Sequence, residues 1–306
     1  MFTNRMIRNL LVPVVLEQIL NSIMGTADTM MVSNVGSAAL SAVSLVDSIN
    51  VLLIQAFSAL AAGGAIVCAQ YIGQRNYEKA NMSARQVLFI ITAISVVVSA
   101  VCLIFQKPLL RLIFGAVDAD VMRASEIYFF FTALSFPFIA AYDSAASIFR
   151  AQENTKGPMT ISMISNIMNI GGNAVLIWVF HLGVAGAAIS TLVSRIFCAI
   201  VVIWQLRNPA EQIYVRNYFS IRPDWSLIKR VLFIGIPSGI ENSMFQFGKL
   251  AIQSTVSTLG TVAIAAQAMT SILEALNGIA AMGVGIGLMT VVGQCIGAKR
   301  KDEAIY

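Results

Sequence analysis

The sequence predicts an all-α protein, a polytopic bundle of transmembrane helices, and three observations lead to this. The chain has 306 residues, of which 58% are hydrophobic and only 11% are charged; this exceeds what the core of a soluble protein of this size uses. Apolar stretches long enough to cross a bilayer recur along the whole chain. The basic residues lie in the short connections between those stretches, which is typical of membrane topology and not of a nucleic-acid-binding surface.

Eight apolar segments have the length of a membrane-spanning helix. They cover residues 7–32, 43–70, 86–106, 122–149, 158–180, 184–206, 230–257 and 264–293. The first runs into no small-residue cleavage site, so we expect it to remain as a transmembrane helix and not to be removed as a signal peptide.

The basic residues are distributed unequally between the two sides of the predicted membrane. Of the 20 lysines and arginines, 15 lie on the side of the N-terminus and 3 on the other, while Arg195 and Lys249 fall within apolar segments. Because cytoplasmic connections carry the excess of lysine and arginine, we expect a cytoplasmic N-terminus and a multi-pass protein of the plasma (inner) membrane.

The first segment returns later in the chain as a second copy. With an offset of 224 residues and no gap, Pro13 aligns with Pro237 and Glu17 with Glu241. Six helices precede the second copy, and an even number returns the chain to the same side of the membrane. The two copies are therefore predicted to be parallel, related by an axis along the membrane normal.

The repeat also predicts the domain organisation. We expect residues 1–206 to form an N-lobe of transmembrane helices 1–6, residues 207–229 a cytoplasmic inter-lobe linker, and residues 230–306 the start of a C-lobe with helices 7–8. A second copy as long as the first would need four more helices. We therefore expect the chain to be a truncated product or fragment of a twelve-helix protein.

A polar stripe runs along the first segment. Glu17, Asn21 and Asp28 lie within roughly 40° of one another on a helix. A charged group near the bilayer centre costs at least ~2.5 kcal/mol, so an intramembrane carboxylate is a functional hypothesis. Asp28, about 16 Å from Glu17 toward the outer end, is the first candidate for binding a proton or sodium ion. The alternative is an acid that is simply hydrated at the outer interface.

The fifth segment carries a second polar face. Ser162, Asn166, Asn169 and Asn173 recur at helical spacing. Their amide and hydroxyl oxygens are suitable ligands for hard cations and suitable partners for a buried carboxylate. Hydrogen bonding between helices would use the same residue types. Together with Asp28, however, the pattern favours an ion site.

Glu17 and Glu241 are equivalent by the repeat, and each follows a helix proline by four residues. They could face a shared central path and attract cationic substrates. They could instead bond to the backbone groups that Pro13 and Pro237 leave free. The sequence leaves both interpretations open.

Other charged residues within the membrane are weaker candidates. Lys249 is expected to neutralise Glu241 or Glu274, although it could respond to substrate. Asp47 and Asp143 lie within or near the membrane and rank below Asp28.

The sequence carries no sign of an enzyme. It has no P-loop and no nucleophile, base and orienting group that stand out, so we expect no ATP hydrolysis and no catalytic residues. Cys68, Cys102, Cys198 and Cys295 are scattered, which indicates neither a zinc site nor a disulfide framework. We therefore expect no cofactor, no metal beyond a possible Na⁺ at Asp28, and no nucleic-acid partner.

Several segments together resemble a known family. DTMMVSNVGSAALSAV, NIMNIGGNAVLIW, GVAGAAISTLVSR and GIPSGIENSMF, in this order, resemble the MATE family of multidrug and toxic compound extrusion transporters, and the match covers nearly the whole chain. The resemblance implies twelve helices in two six-helix lobes. It also implies export of mostly cationic, lipophilic compounds in exchange for Na⁺ or H⁺.

The resemblance further implies a cation-coupling site made of Asp28, Asn169, Asn173 and Thr191. Asn173 departs from family members that carry an acid at this place, which leaves the coupling ion open between H⁺ and Na⁺. The acid that some members carry deeper in the seventh helix is also missing, because Phe245 occupies that place.

Taken together, these features predict a secondary active antiporter that works by alternating access and is a monomer in its full-length form. The alternatives are a flippase of lipid-linked saccharides from the same superfamily, or a membrane fragment that does not transport. The residues assigned to the substrate cavity are Glu17, Asn21, Asn166, Tyr142, Glu241, Lys249 and Glu274.

Overall fold

The computed structural model describes residues 4–114, 118–209, 211–215, 223–257 and 261–305, and the regular structure in these ranges is helical. The helices are α1 (Asn4–Ser33), α2 (Ser37–Gly73), α3 (Tyr77–Ile104), α4 (Gln106–Phe114), α5 (Ala119–Ala151), α6 (Lys156–Ala174), α7 (Gly183–Gln205), α8 (Trp225–Ser257), α9 (Thr261–Gly297) and α10 (Lys301–Ile305). A π-helical turn, Val175–Val179, continues α6.

The eight predicted segments coincide with eight long helices, and the prediction of an all-α membrane bundle is confirmed. The predicted starts of three segments were too late, since α2 begins at Ser37, α3 at Tyr77 and α8 at Trp225. The largest error is at α3, which was predicted to begin near residue 86. The side chain of Asn76 accepts a hydrogen bond from the Lys79 amide at 3.1 Å and so caps a polar first turn. The apolar pattern indicates only the part of a helix that lies in the hydrocarbon of the membrane. A helix with a capped polar first turn begins before that part.

Seven helical stretches among the described residues are long and apolar enough to cross a membrane. They lie in α1, α2, α3, α5, α6 with its π turn, α7 and the second half of α9. The chain is therefore a multi-pass membrane protein. The short α4 was not predicted.

Six long helices form what we call the N-terminal bundle: α1, α2, α3, α5, α6 and α7. Within it, α5 packs against α2, α3 and α7, while α6 packs against α1 and α7. The second half of α5 buries a run of small side chains, including Ala140, Ser144 and Ala145. Small residues let helix backbones approach closely, which is how helices associate in a membrane.

The helices α8 and α9 form what we call the C-terminal pair, and they dock on the N-terminal bundle. α8 packs on α2, and α9 packs on α1 and α2. At the end of α5, the Thr290 hydroxyl donates to the Arg150 carbonyl at 3.1 Å, and Gln294 Nε2 donates to the Ala151 carbonyl at 2.9 Å. Burial raises the pKa of the neighbouring Glu153, and its hydrogen bond with Gln294 opposes that rise.

The repeat is reproduced in the turns that end α2 and α9. Arg75 and Lys299 have similar positive φ angles, 56° and 60°. The amide of Asn76 bonds to the Tyr71 carbonyl at 3.0 Å, and the amide of Arg300 bonds to the Cys295 carbonyl at 2.9 Å. Each pair differs by the same 224 residues as the sequence repeat.

At this end α2 and α9 cross in reciprocal contact. A Cβ added to Gly73 would collide with the Gln294 carbonyl, and one added to Gly297 would collide with the Gln70 carbonyl. Gly73 and Gly297 are equivalent positions of the repeat, and so are Gln70 and Gln294. Because each copy makes the same contact with the other, the crossing lies on the pseudo-two-fold axis. Glycine is needed here because the two backbones touch.

The crossing gives a stability prediction. Gly297→Ala should destabilise the fold by about 1–3 kcal/mol, because the added methyl overpacks a contact with backbone. The matched control in the same helix is Gly285→Ala, where a Cβ has nothing within 4 Å. This control should be neutral or stabilising by up to ~1 kcal/mol. Unfolding of the purified protein in detergent measures both, and equal effects of the two variants would contradict the crossing.

Candidate cation site

A carboxylate and three polar side chains from three helices meet inside the N-terminal bundle, and we call them the Asp28 cluster: Asp28, Asn169, Asn173 and Thr191. Asn173 Nδ2 donates to Asp28 Oδ1 at 2.6 Å. With its amide turned to suit its neighbours, Asn169 Nδ2 donates to the same oxygen at 2.8 Å, and its carbonyl oxygen accepts from Thr191 Oγ1 at 3.3 Å. The structure thus brings together α1, α6 and α7 at the four residues that the resemblance implied.

The helices α6 and α7 hold the cluster in place. Asn169 and Asn173 are one turn apart on α6, and both are fully buried. The Ser190 hydroxyl of α7 donates to the Asn169 carbonyl at 2.8 Å, and Gly172 lets this part of α7 approach α6. Two amides are therefore fixed in front of Asp28.

One group in the cluster is left without a partner. The side-chain oxygen of Asn173 is buried and makes no hydrogen bond with the described residues. Carboxylate, amide and hydroxyl oxygens are the ligands that hard cations prefer. The cluster therefore has the chemistry to hold either a small monovalent cation or a proton on Asp28.

A second carboxylate of the N-terminal bundle is hydrogen-bonded by α2 and α5. Asp47 of α2 accepts hydrogen bonds from Asn50 Nδ2 and from the Tyr128 hydroxyl, each at 3.2 Å. Sequence reasoning ranked Asp47 below Asp28 and did not single out Tyr128, because nothing in the sequence pairs α2 with α5.

Glu17 is held by side chains and not by the backbone of α1. Its carboxylate is 2% exposed, accepts from the Tyr142 hydroxyl at 3.1 Å, and forms an ion pair with Arg150 at 3.2 Å. Arg150 was counted as a loop residue in the sequence, so this pairing was missed. The side chains that bind the Glu17 carboxylate thus belong to α5, a pairing that neither interpretation of Glu17 included.

Asn21 connects the polar faces of α1 and α6. Its side-chain oxygen accepts from the Ser162 hydroxyl at 3.0 Å and from Asn166 Nδ2 at 3.1 Å. The polar stripes predicted on the first and fifth segments therefore face each other.

The candidates on the C-terminal pair are not brought to this region by any described contact. Lys249 forms an ion pair with Glu274 at 2.7 Å, and both side chains are exposed. Of the two acids named as partners for Lys249, the structure selects Glu274. Glu241 is exposed. The assignment of these residues and of Glu17 to a substrate cavity stays a prediction.

A cavity of about 510 Å³ lies elsewhere, on α8. It is lined by Trp225, Ile228, Lys229, Leu232, Phe233, Ile236 and Pro237 and contains none of the predicted site residues. Within the described ranges, no group of three or more histidine, cysteine or acidic residues could hold a metal ion.

Comparison with known proteins identifies relatives along nearly the whole chain. The family model described as MatE matches residues 13–175 and 237–305. The uncharacterized transporter YisQ of Bacillus subtilis is 27% identical over 95% of this chain and 64% of its own length. The probable multidrug resistance protein NorM of Thermotoga maritima is 24% identical over 97% of this chain and 64% of its own length. The chain thus spans somewhat less than two thirds of these relatives.

Solved structures share the fold. A MOP superfamily transporter from Pyrococcus furiosus superposes with a TM-score of 0.91 at 20% identity, covering 98% of this chain and 66% of that one. The outward-facing conformation of a multidrug resistance MATE family transporter gives a TM-score of 0.90 with the same identity and coverage. At this level of identity the likeness establishes the fold alone.

The buried ion pair of Glu17 and Arg150 gives a prediction that distinguishes it from ion pairs at the surface. Arg150→Met should destabilise the protein by about 3–5 kcal/mol, because it leaves the Glu17 carboxylate buried without its cation. The double variant Glu17→Gln/Arg150→Met should recover most of this loss. Chemical unfolding in detergent measures the free energies.

Arg300→Gln is the control, since Arg300 pairs with Glu303 at 2.9 Å on the exposed surface. Its effect on the free energy of unfolding should be much smaller than that of Arg150→Met, because solvent screens an exposed ion pair. If Arg150→Met costs no more than this control, Glu17 does not depend on Arg150.

Proposed function

This chain belongs to the MatE family, and from that premise we propose that it acts as a secondary active antiporter. It exports cationic or lipophilic drugs or toxic compounds in exchange for H⁺ or Na⁺. The observation that carries the proposal is the Asp28 cluster, in which two amides of α6 donate to the α1 carboxylate and the Thr191 hydroxyl of α7 donates to one of these amides. Relatives named as multidrug resistance proteins support the class of substrate.

The chemistry of the cluster suits reversible loading of a cation. A carboxylate surrounded by uncharged amides and a hydroxyl gains a neutralising cation readily, since its charge is costly away from bulk water. Loading also changes the hydrogen bonds that join α1 to α6, because the amides of Asn169 and Asn173 both donate to Asp28. Cation binding therefore acts on the packing of α1.

The contacts between the N-terminal bundle and the C-terminal pair suit alternating access. The described contacts with the pair involve the first half of α1, the second half of α2 and the end of α5. Asp28 lies in the other half of α1. We propose that the two parts rock about the crossing of α2 and α9, so that the Asp28 cluster is open to the outer side when the crossing is closed.

Intramembrane charge favours this function over the flipping of lipid-linked saccharides. The N-terminal bundle holds five half-buried or buried acids, Glu17, Asp28, Asp47, Glu126 and Asp143, against three such arginines, Arg85, Arg150 and Arg195. An acidic interior attracts cationic compounds and repels anionic lipid phosphates. We further propose a location in the plasma (inner) membrane with a cytoplasmic N-terminus, which the excess of basic residues on that side supports, and a monomer in the full-length form.

Transport by reconstituted full chain tests the proposal. In proteoliposomes, wild type should move a fluorescent lipophilic cation when either an H⁺ or an Na⁺ gradient is imposed, each gradient being applied alone. Asp28→Asn should reduce gradient-driven flux at least ~10-fold, because the neutral amide cannot load a cation. The exposed Asp120→Asn serves as the matched control and should retain wild-type flux. Unchanged flux in Asp28→Asn would refute the proposed coupling role.

The proposed orientation has its own test. Asn34 and Gln74 are exposed positions in the turns after α1 and after α2. Asn34→Cys should react with a membrane-impermeant maleimide in intact cells, whereas Gln74→Cys should react only after permeabilisation, because the two turns lie on opposite sides. The reverse labelling pattern would place the N-terminus outside.

A further inference from the structure

The first half of α8 carries an apolar cavity that contains no residue of the Asp28 cluster. Its volume is about 510 Å³, within the range of roughly 300–1,000 Å³ that ligand sites of proteins occupy. Apart from Lys229, the described residues that line it are hydrophobic, and Trp225 and Phe233 are 73% and 78% exposed. The cavity therefore suits an apolar ligand that carries a negative group.

The cavity lies on a face of α8 that α2 leaves uncovered. Val231 and Gly235 are buried, and a Cβ added to Gly235 would collide with the Leu60 backbone of α2. Trp225, Lys229 and Ile236 are exposed, and they fall within roughly 40° of one another on another face of the helix.

The sequence repeat relates the packing of α8 to that of α1. Gly235 of α8 lies against Gly63 of α2, and Leu11 of α1 lies against Gly287 of α9. Leu11 aligns with Gly235 and Gly63 aligns with Gly287, each with the offset of 224 residues. Because the two contacts are equivalent, α1 shows which face of α8 stays open in a lobe of this fold.

The face of α1 that corresponds to the cavity is exposed. Lys229 and Ile236 align with Arg5 and Val12. Both residues of α1 are exposed, although the N-terminal bundle around them contains six long helices. A second lobe built on the same repeat leaves this face of α8 to the surrounding lipid and not to a further helix.

Lys229 is the positive charge that the cavity presents. It is exposed and takes part in none of the ion pairs within 4 Å among the described residues. The neighbouring Arg230 donates to Gln70 Oε1 at 2.6 Å, and Asp224 accepts a hydrogen bond from the Ser226 amide at 3.0 Å in the first turn of α8. The Lys229 ammonium is therefore available to a negative group of a ligand.

The cavity has the length of one lipid chain. From Trp225 to Pro237 the helix rises by about 18 Å, and half of the hydrocarbon of a bilayer is roughly 15 Å thick. Tryptophan is enriched where hydrocarbon meets the headgroups, and the stem of a lysine lies along apolar surface so that its ammonium reaches that level. Trp225 and Lys229 both lie in the first two turns of α8. The cavity thus has a headgroup end at the start of α8 and an apolar end further along it.

We propose that this cavity binds one anionic phospholipid, whose phosphate pairs with Lys229 while an acyl chain lies along α8 from Trp225 to Ile236. The lipid belongs to the leaflet on the side of the inter-lobe linker. The inference goes beyond the proposed function, because it depends neither on Asp28 nor on transport. The positive group of a zwitterionic headgroup opposes Lys229, so the site selects lipids by charge.

Quenching of tryptophan fluorescence by brominated lipids tests this with the purified full chain. Of the three tryptophans, Trp178 and Trp204 are exposed, and the variant Trp178→Phe/Trp204→Phe leaves Trp225 as the reporter. The variant is reconstituted in phosphatidylcholine vesicles that contain increasing fractions of brominated phosphatidylglycerol or of brominated phosphatidylcholine. The association constant at Trp225 should be at least ~3-fold larger for phosphatidylglycerol, because a lysine at the membrane surface attracts anionic lipid.

Lys229→Gln in the same background should reduce this preference to within about 1.5-fold, whereas Lys229→Arg should keep it. Lys79→Gln removes the same charge from an exposed position at the start of α3 and is the matched control, which should retain the preference. Equal association of the two lipids, a preference that survives Lys229→Gln, or one that is lost in Lys79→Gln would overturn the inference. Absence of quenching by either lipid would overturn it as well, since protein and not lipid would then cover the cavity.

Discussion

The requirement that intramembrane charge be satisfied within the protein determines how the N-terminal bundle is built. Hydrocarbon offers no hydrogen bonds, so a carboxylate there needs donors from neighbouring helices. Each of four acids has such a donor: Glu17 has Tyr142 and Arg150, Asp28 has Asn173, Asp47 has Asn50 and Tyr128, and Asp143 has Ser58. These bonds connect helices that are distant in sequence. The same polar contacts therefore both hold the bundle together and form the candidate site.

The two ends of α1 have different partners. Glu17 is tied to Arg150, whose carbonyl accepts the Thr290 hydroxyl of the C-terminal pair. Asp28, in the other half of α1, is tied to the amides of α6. A change of charge at Asp28 can thus alter how α1 packs, while the opposite end stays connected to α9. This arrangement gives a physical route from cation loading to the relative position of the two parts.

Much of this could be predicted from the sequence, because helical periodicity alone places Asn21 and Asp28 on one face of α1 and Asn166, Asn169 and Asn173 on one face of α6. The sequence repeat likewise predicted a parallel second copy, and the reciprocal crossing agrees with it. Contacts between distant helices were not accessible in this way. Glu17 and Arg150 are separated by 133 residues, and periodicity gives no information about which helices pack together. The early start of α3 was missed because its first turns are polar.

Asp47 illustrates the same limit. From the sequence it was one acid among several near the membrane, and Asn173, standing where some relatives of the family carry an acid, indicated a site with one carboxylate fewer. Only the packing of α5 against α2 brings the Tyr128 hydroxyl to Asp47.

The most direct test of the central claim is whether substrate and cation compete at Asp28. Adding a lipophilic cation to the purified, cation-loaded full chain should release the bound Na⁺ or H⁺ in proportion to the substrate bound, and Asp28→Asn should bind substrate without this release. Stoichiometric release that persists in Asp28→Asn, or no release from the wild type despite substrate binding, would contradict the account.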